Sequence, residues 1–403
     1  METVYRFEPC LPETISGEIL DLVAEVARKS ESLGSKLNPP AARSLADLVR
    51  VMSSYYSNLI EGHNTLPCDI EAALEDDLSG DDATRDLQIE ARVHVELQRS
   101  IDEMFAAGKL GDPASADFLK HLHKEFYDRL PKDFRVVHST MRTRTLEVAP
   151  GRFRRQPDEE VSVGLHRPPA PEYVEPFMRR FAERFAFDKL GSGERIVAIA
   201  CAHHRFNYIH PFVDGNGRVG RLLSHAMALR AGIGAHGLWS VSRGLARGLR
   251  RGPEGHGEYK AWMARADAPR EGDFDGRGNL SERALKEFVA WFLKVMIDQL
   301  DFMASLYDLK TMETRLRRLA EVRTDWRRET AGLLEYILRR GEMPRGEAPQ
   351  ITGLSPRSSS DMLRQLMKDG IIQSETPKGP VSLRFKADFA DILFPRLFPE
   401  PAA

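Results

Sequence analysis

The sequence predicts a mainly α-helical fold that ends in a winged helix-turn-helix. Apolar residues recur at 3.6-residue spacing along most of the 403 residues, and strand-like alternation is scarce. From about Ala331 the order becomes helix, turn, helix and two short strands.

The helical stretches follow one another closely. Ile15 to Ser35 places Ile19, Leu20, Leu22, Val23, Val26 and Ala27 on one face. Leu45 to Ile60, Asp82 to Ala107, Ala114 to Leu130, Val174 to Phe187, Glu194 to Phe206 and Gly217 to Ala231 have the same texture. Glu282 to Leu309 is the longest and reads as one or two core helices. Glu160 to Leu165 is the exception: Val161 and Val163 alternate with Ser162, and Pro168-Pro169 follow, as expected of a short exposed strand. Pro253 to His256 and Asp267 to Gly278, rich in Gly, Pro and charge, read as loops. In the tail, Ala331 to Arg340 and Ser355 to Lys368 are the paired helices. Ser355 is the expected N-cap, and Met362, Leu363 and Leu366 the buried face. Ile371-Ile372 and Val381 to Phe385 form the wing.

The length suggests two or three domains. With 58 basic and 60 acidic side chains, the chain as a whole has no polyelectrolyte pull toward nucleic acid or acidic membrane. Cys10, Cys68 and Cys201 are odd in number and scattered, which excludes a disulfide framework or a Cys-x-x-Cys zinc site and suits a reducing compartment. The N-terminus shows no secretory pattern, and no stretch reaches spanning length, so a cytoplasmic protein without a membrane partner is expected.

The most informative segment is His210-Pro211-Phe212-Val213-Asp214-Gly215-Asn216-Gly217-Arg218-Val219-Gly220-Arg221. Its Gly-x-Gly-x-x-Gly pattern does not read as a dinucleotide fingerprint. The preceding segment is helical, and no acidic residue lies between Arg221 and Arg250 to hold a ribose. It does read as a phosphate site. Gly215 and Gly217 let backbone N–H groups approach an anion at a helix N-terminus, and Asn216 offers a neutral donor. Arg218 and Arg221, three apart, can present two guanidinium groups from one helical face. Asp214 suits a Mg²⁺ bridging to phosphate oxygens. His210, with an ordinary pKa of about 6.5, can accept a proton from an incoming hydroxyl.

At these residues the chain resembles the Fic family, whose signature His-x-Phe-x-Asp/Glu-Gly-Asn-Gly-Arg-x-x-Arg is met at every specified position. The resemblance implies a helical Fic core that transfers AMP from ATP to a Ser, Thr or Tyr hydroxyl of a protein. It implies His210 as general base and Asp214 as Mg²⁺ ligand. Gly215, Asn216 and Gly217 would form the anion hole, and Arg218, Val219, Gly220 and Arg221 the rest of the phosphate-binding turn. Val161, Ser162, Val163 and Gly164 lie where the family carries a β-hairpin flap that pairs with the target's backbone. Ser57-Asn58-Leu59-Ile60-Glu61-Gly62 matches the family's inhibitory motif, with Glu61 expected to pair with Arg221. Two such charges about 4 Å apart attract by roughly 4 kcal/mol before desolvation, enough to compete with a γ-phosphate.

Plain structural readings stand beside these. Asp214 alone is a candidate N-cap, and Glu61-Gly62 a candidate helix end with a C′ glycine. His203 and His204 lack carboxylate or cysteine neighbours at ligand spacing and read as core or surface residues. Trp239 and Tyr259 are candidates for adenine stacking, with core packing the simpler reading. The divisions expected are 1–110 with the inhibitory motif, 111–310 as the catalytic core, 311–330 as a linking helix and 331–403 as the winged helix.

The reading is a self-inhibited, Mg²⁺-dependent protein adenylyltransferase acting on a target protein and on itself. A homodimer is a further expectation of the resemblance. Removal of AMP by the same site is one alternative. Transfer of another phosphate-bearing group is a second, and a nucleotide-sensing transcription regulator that binds DNA through its winged helix is a third. Residues 331–398 carry ten basic and eight acidic side chains, with Arg357, Arg364 and Lys368 on the second helix, which is thin for DNA.

Overall fold

In the computed structural model the described residues are 3–35, 37–139, 144–250, 255 and 257–398. The predicted helical class is what is found, with some helices longer and more of them shorter than the bounds that periodicity suggests. α1 spans Gly17–Gly34 and α2 spans Pro39–Glu61. α2 begins before its apolar stripe because Asn38 caps it, accepting from Ala41 N–H, and prolines occupy the first turn, where no N–H is needed. It stops at Gly62, which takes φ 92°, a left-handed value that costs glycine little. α3 (Pro67–Leu74), α4 (Asp82–Ala106), α5 (Ala116–Asp128) and α6 (Val174–Arg184) follow.

α7 (Ser192–Ile209) and α8 (Asn216–Arg230) form a helical hairpin at the centre, with α4 and α5 against α8 and α6 against α7. Both are buried along most of their length. α9 (Val241–Arg247) and α10 (Glu258–Ala266) lead to α11 (Glu282–Leu306), a single helix packed on α1, α7 and α9. Asp308 ends that run by capping α12 (Leu309–Val322). The expected 267–278 loop is irregular as read, whereas the Pro253 to His256 loop lies, Gly255 apart, outside the described residues.

Sheet structure is placed differently from expectation. An antiparallel hairpin joins β1 (Val136–Ser139) to β2 (Arg144–Glu147). Glu160 to Leu165 is not a strand; it contributes one antiparallel bridge, Val163 to His166, around a turn in which Gly164 has φ 58°. Its neighbours are held by side chains instead of a ladder, chiefly the Arg152–Glu159 ion pair.

The tail runs α13 (Thr330–Arg340), β3 (Glu342–Met343), α14 (Ala348–Thr352), α15 (Pro356–Asp369), β4 (Ile372–Gln373) and β5 (Val381–Leu383). The three strands are antiparallel in the order β3-β5-β4. Ser355 caps α15, and Met362, Leu363 and Leu366 are buried beneath it, as expected. β3 and α14 were not expected; both are too short to show periodicity. A short α16 (Ala390–Leu393) closes the chain onto α12.

The tail is bonded to the N-terminal helices along α2 and α3. Asn38 donates to the Leu338 carbonyl at 2.8 Å, Ser44 Oγ accepts from Phe385 N–H at 2.9 Å, and Glu71 accepts from Ala387 N–H at 2.8 Å. Glu75 pairs with Arg384 and Lys386. Farther along α2, Tyr56 donates to the Leu397 carbonyl, and the Tyr55 ring meets Phe398 edge-on at 5.9 Å. Asn38 serves α2 and the tail together. We expect Asn38→Ala to cost about 1–2 kcal/mol, read as a lower urea midpoint; an unchanged midpoint would contradict this double role.

Candidate active site

The site is the turn between α7 and α8. α7 ends at Ile209, and His210 takes the left-handed conformation, φ 49° and ψ 62°, which is strained for a residue with a Cβ. This reverses the chain and leaves the residue partly exposed, with its Nδ1 buried. Burial of the ring's surroundings, helped by the charge of Arg154, pushes its pKa down to about 4 against the opposing pull of Asp214. At neutral pH the ring is uncharged and able to accept a proton.

The turn then re-enters a helix through Gly215, at φ 79°, so that the first N–H groups of α8 face the same space. Gly215 and Gly217 are required by close approach as well. A Cβ on Gly215 would lie 2.8 Å from the Tyr127 ring, and one on Gly217 would lie 2.3 Å from Glu61 Oε1. Asn216 does not offer its side chain outward. Its Oδ1 accepts from Phe212 N–H and its Nδ2 donates to Phe212 C=O, both at 2.9 Å, so the amide closes the turn on itself. A ligand would meet the backbone N–H groups here, not this side chain. Val219 and Gly220 lie one turn into α8 and are buried; a Cβ on Gly220 would meet Asn207 Nδ2 at 2.8 Å.

Asp214 is not the N-cap of α8, a position held by Gly215. One carboxylate oxygen accepts from Tyr127 O–H at 2.8 Å, and its carbonyl accepts from His123 Nε2 at 3.2 Å. His123 is oriented in turn: Gly151 N–H donates to its Nδ1 at 2.9 Å, and its ring stacks on Phe212 with centroids 3.8 Å apart. Burial pushes His123 down to about 4, so it is a neutral imidazole with the proton on Nε2. His123 and Tyr127 lie four apart on α5, a spacing that put both on one face but did not name their partner.

The two motif arginines diverge. Arg221 is buried and points at α2: Nε donates to Ser57 Oγ at 2.8 Å, and Nη2 donates to the Ser57 carbonyl at 3.2 Å and to Glu61 Oε1 at 2.6 Å. The expected ion pair therefore exists, and Gly62 is at the same time the helix-ending glycine of the plain reading. Burial would raise the Glu61 carboxyl, but Arg221 and then Arg218 outweigh it and bring it down to about 2. Arg218 faces α4, paired with buried Glu90, with its guanidinium over the Phe126 ring at 5.4 Å. His63 joins it, its Nδ1 2.7 Å from the other Glu90 oxygen. One helical face thus does not present both guanidinium groups to one ligand in this state.

The remaining candidates are structural. His203 is fully buried between Ser224 and Tyr259, and His204 between Met263 and Asp267. Trp239 donates to the Ile233 carbonyl and Tyr259 meets His203, so both belong to the core. Among the described residues no group of three His, Cys, Asp or Glu side chains is placed to hold a metal, and no helix is long and apolar enough to cross a membrane. Val163 and Leu165 are exposed beside this turn, because His166 Nε2 on the same hairpin bonds the Tyr208 carbonyl at 2.8 Å. Tyr127, His123, Glu90, His63 and Arg154 escaped the sequence reading. Each acts through a partner far away in the chain.

Burial also pushes His94 and His203 down to about 3. With His123 and His210 at about 4, four histidines are neutral when folded but protonate near pH 6.5 when unfolded. The unfolded chain then binds more protons in this window, so stability falls as pH drops from about 6.5 toward 4, by up to about 1.4 kcal/mol per unit for each ring. Glu71, which burial raises to about 7, and His63 and Asp112, which the Glu90 hydrogen bond and burial respectively raise, have the opposite sign but are fewer. We expect a clearly lower urea midpoint at pH 5.5 than at pH 7; equal midpoints would show that these rings are not held neutral.

The Fic/DOC family model matches residues 113–228, which contain the whole turn. The protein adenylyltransferase Fic of Drosophila willistoni is 32% identical over 117 residues, 28% of this chain and 23% of that protein. Its counterpart in Drosophila mojavensis is 37% identical over 101 residues, 25% of this chain and 20% of that protein. The match thus spans less than a quarter of these relatives' length. Among solved structures, a Fic family protein from Desulfovibrio desulfuricans G20 is 20% identical with a TM-score of 0.51, covering 94% of this chain and 99% of that one. Fic-1 from C. elegans is 17% identical with a TM-score of 0.50, covering 71% of each chain. At these identities the structures establish likeness of fold.

Proposed function

This chain carries a Fic/DOC family domain over residues 113–228, and on that premise we propose that it is a self-inhibited protein adenylyltransferase. It would move AMP from ATP to a Ser, Thr or Tyr hydroxyl of a target protein or of itself. One observation carries the reading: a neutral imidazole on a partly exposed residue and a glycine-opened helix N-terminus stand at the two ends of a single turn.

The chemistry follows from the groups present. His210 accepts the proton of the target hydroxyl as its oxygen attacks the α-phosphorus of ATP. A new P–O bond forms, the bond to the pyrophosphate oxygen breaks, and pyrophosphate leaves. The N–H groups at the start of α8 hold phosphate oxygens against the positive end of the helix dipole. Asp214 keeps one oxygen for Tyr127, which leaves the other for a cation. A single carboxylate fits Mg²⁺, which is bound mainly through phosphate and water oxygens. Such an ion would neutralise phosphate charge. The 160–166 hairpin, exposed beside His210, would present its backbone edge to an extended target segment.

The inhibitory reading is supported by where the Glu61 carboxylate lies. It neutralises Arg221 and sits against Gly217, at the mouth of the N–H cluster where a phosphate oxygen would bind. Displacing it requires breaking a charge-assisted hydrogen bond worth about 1.5–3 kcal/mol. A second reading rests on the same residue: the Glu61 carboxylate lies against Gly217, in the turn that His210 opens, where it would orient a water for removal of AMP from a modified protein. The β3-β5-β4 order with α13, α14 and α15 supports a winged helix in the tail. Arg364 there is paired with Asp361 at 2.9 Å on the exposed face of α15, which reduces the net positive charge that this helix would offer to DNA.

Intact-mass measurement after incubation with ATP and Mg²⁺ tests the proposal. Glu61→Gly should gain AMP at least about 10-fold faster than the native chain, in line with 1.4 kcal/mol per decade. Unchanged labelling would remove the inhibitory assignment. His210→Ala in the Glu61→Gly background should abolish transfer while calorimetry still shows ATP binding; retained transfer would mean that another group takes the proton.

A further inference from the structure

Arg154 lies outside the phosphate-binding motif, yet it is among the largest fully buried side chains of the protein. A buried guanidinium is costly unless its donors find acceptors. Here Nε donates to the His210 carbonyl at 2.8 Å, and Nη2 to the carbonyls of Ile209 at 3.3 Å and Pro169 at 3.1 Å. Nη1 donates to the Glu159 carbonyl at 3.2 Å, and the backbone N–H of Arg154 donates to the Pro211 carbonyl at 2.8 Å.

These acceptors are not scattered. The last carbonyls of a helix have no partner within it. At the end of α7, His166 bonds the Tyr208 carbonyl, and Arg154 bonds those of Ile209, His210 and Pro211. Four consecutive carbonyls are thus satisfied from the 154–166 loop, with a cation at the negative end of the helix. The residue at the centre of this cap is His210, whose left-handed backbone costs about 1–2 kcal/mol unless the surroundings enforce it. The same guanidinium reaches Glu159 and Pro169, which flank the exposed hairpin on both sides.

We propose that Arg154 is a positioning residue that locks His210 in its left-handed conformation and sets the target-binding hairpin in register with it. One planar fork, spanning two carbonyls of the α7 terminus and two that flank the hairpin, ties the base to the segment that presents the hydroxyl. Lysine carries the charge but not the fork, and cannot span all four. The inference rests on the reading of His210 as base in AMP transfer. Arg154 also depresses the His210 pKa, which supplies a second readout.

The test uses the full chain with Glu61→Gly, alone and combined with Arg154→Lys or Arg154→Met. Both arginine variants should lower kcat for AMP transfer by about 10- to 100-fold, the scale expected of a misplaced reacting group. KM for ATP should stay within about twofold, because α8 holds the phosphates. In NMR titrations the His210 midpoint should rise in Arg154→Met and stay low in Arg154→Lys. Kcat unchanged in both variants would overturn the proposal, as would a rise in KM equal to the fall in kcat with the His210 midpoint unmoved. If Arg154→Met does not fold, Arg154→Lys decides through the kcat and KM split. If the Glu61→Gly parent itself transfers no AMP, the adenylyltransferase reading fails. The His210 titration then still decides for Arg154, and an unmoved midpoint in Arg154→Met overturns it.

Discussion

The contact on which the site depends is the pair between Glu61 at the end of α2 and Arg221 in the second turn of α8. It exists because several local choices agree. Asn38 and Gly62 fix where α2 starts and stops, which carries Ser57 and Glu61 to Arg221 together. Gly217 lacks the Cβ that would exclude the carboxylate. The pair thereby neutralises a buried guanidinium that would otherwise meet only uncharged groups such as Ser57 among the partners described, and an unpaired buried charge is costly. A phosphate that replaced Glu61 would supply the same compensation, so under the proposed function carboxylate and substrate would compete for one place. α2 also carries the bonds to the tail through Asn38, Ser44 and Tyr56, so one rod spans the site and the C-terminal region.

Around that pair, the shape of the turn is set by residues outside the motif. Tyr127 and His123 hold Asp214 from α5, and Asn216 folds back on Phe212. Arg154 caps the end of α7. This division has a physical basis. Groups meant to meet a ligand cannot also be anchored by it, so rigidity has to come from neighbours whose own contacts are complete. Arg218 marks the boundary. Paired with Glu90 and approached by His63, it serves in this state as an internal tie between α8 and α4.

What could be read from the sequence was what is local. The turn from His210 to Arg221 is contiguous, so its glycines, imidazole and carboxylate announce themselves without tertiary knowledge. Long amphipathic stretches such as Gly17–Gly34 and Glu282–Leu306 show their period clearly, whereas α3, α9, α10 and α14 are too short to do so. Alternation at Val161 and Val163 suggested a strand, but a ladder needs a partner, and the segment finds one bridge and a set of side-chain anchors. Periodicity says nothing of Arg154, which lies in a loop; it can place Glu90 and His94 on the inward face of α4 but cannot report which group each one meets. That is why Arg218 seemed free for phosphate when a carboxylate from α4 already held it. Glu61-Gly62 shows the converse, since the helix end and the expected pair with Arg221 are one arrangement, and both contacts are present.

The central claim is that the N–H groups opening α8 form an anion site that Glu61 guards. Amide hydrogen exchange at Gly215, Asn216 and Gly217, with and without ATP and Mg²⁺, measures this directly. The account predicts little slowing in the native chain and marked slowing once Glu61 is replaced by glycine. Exchange that ATP leaves unchanged at all three amides in the Glu61→Gly protein would contradict it.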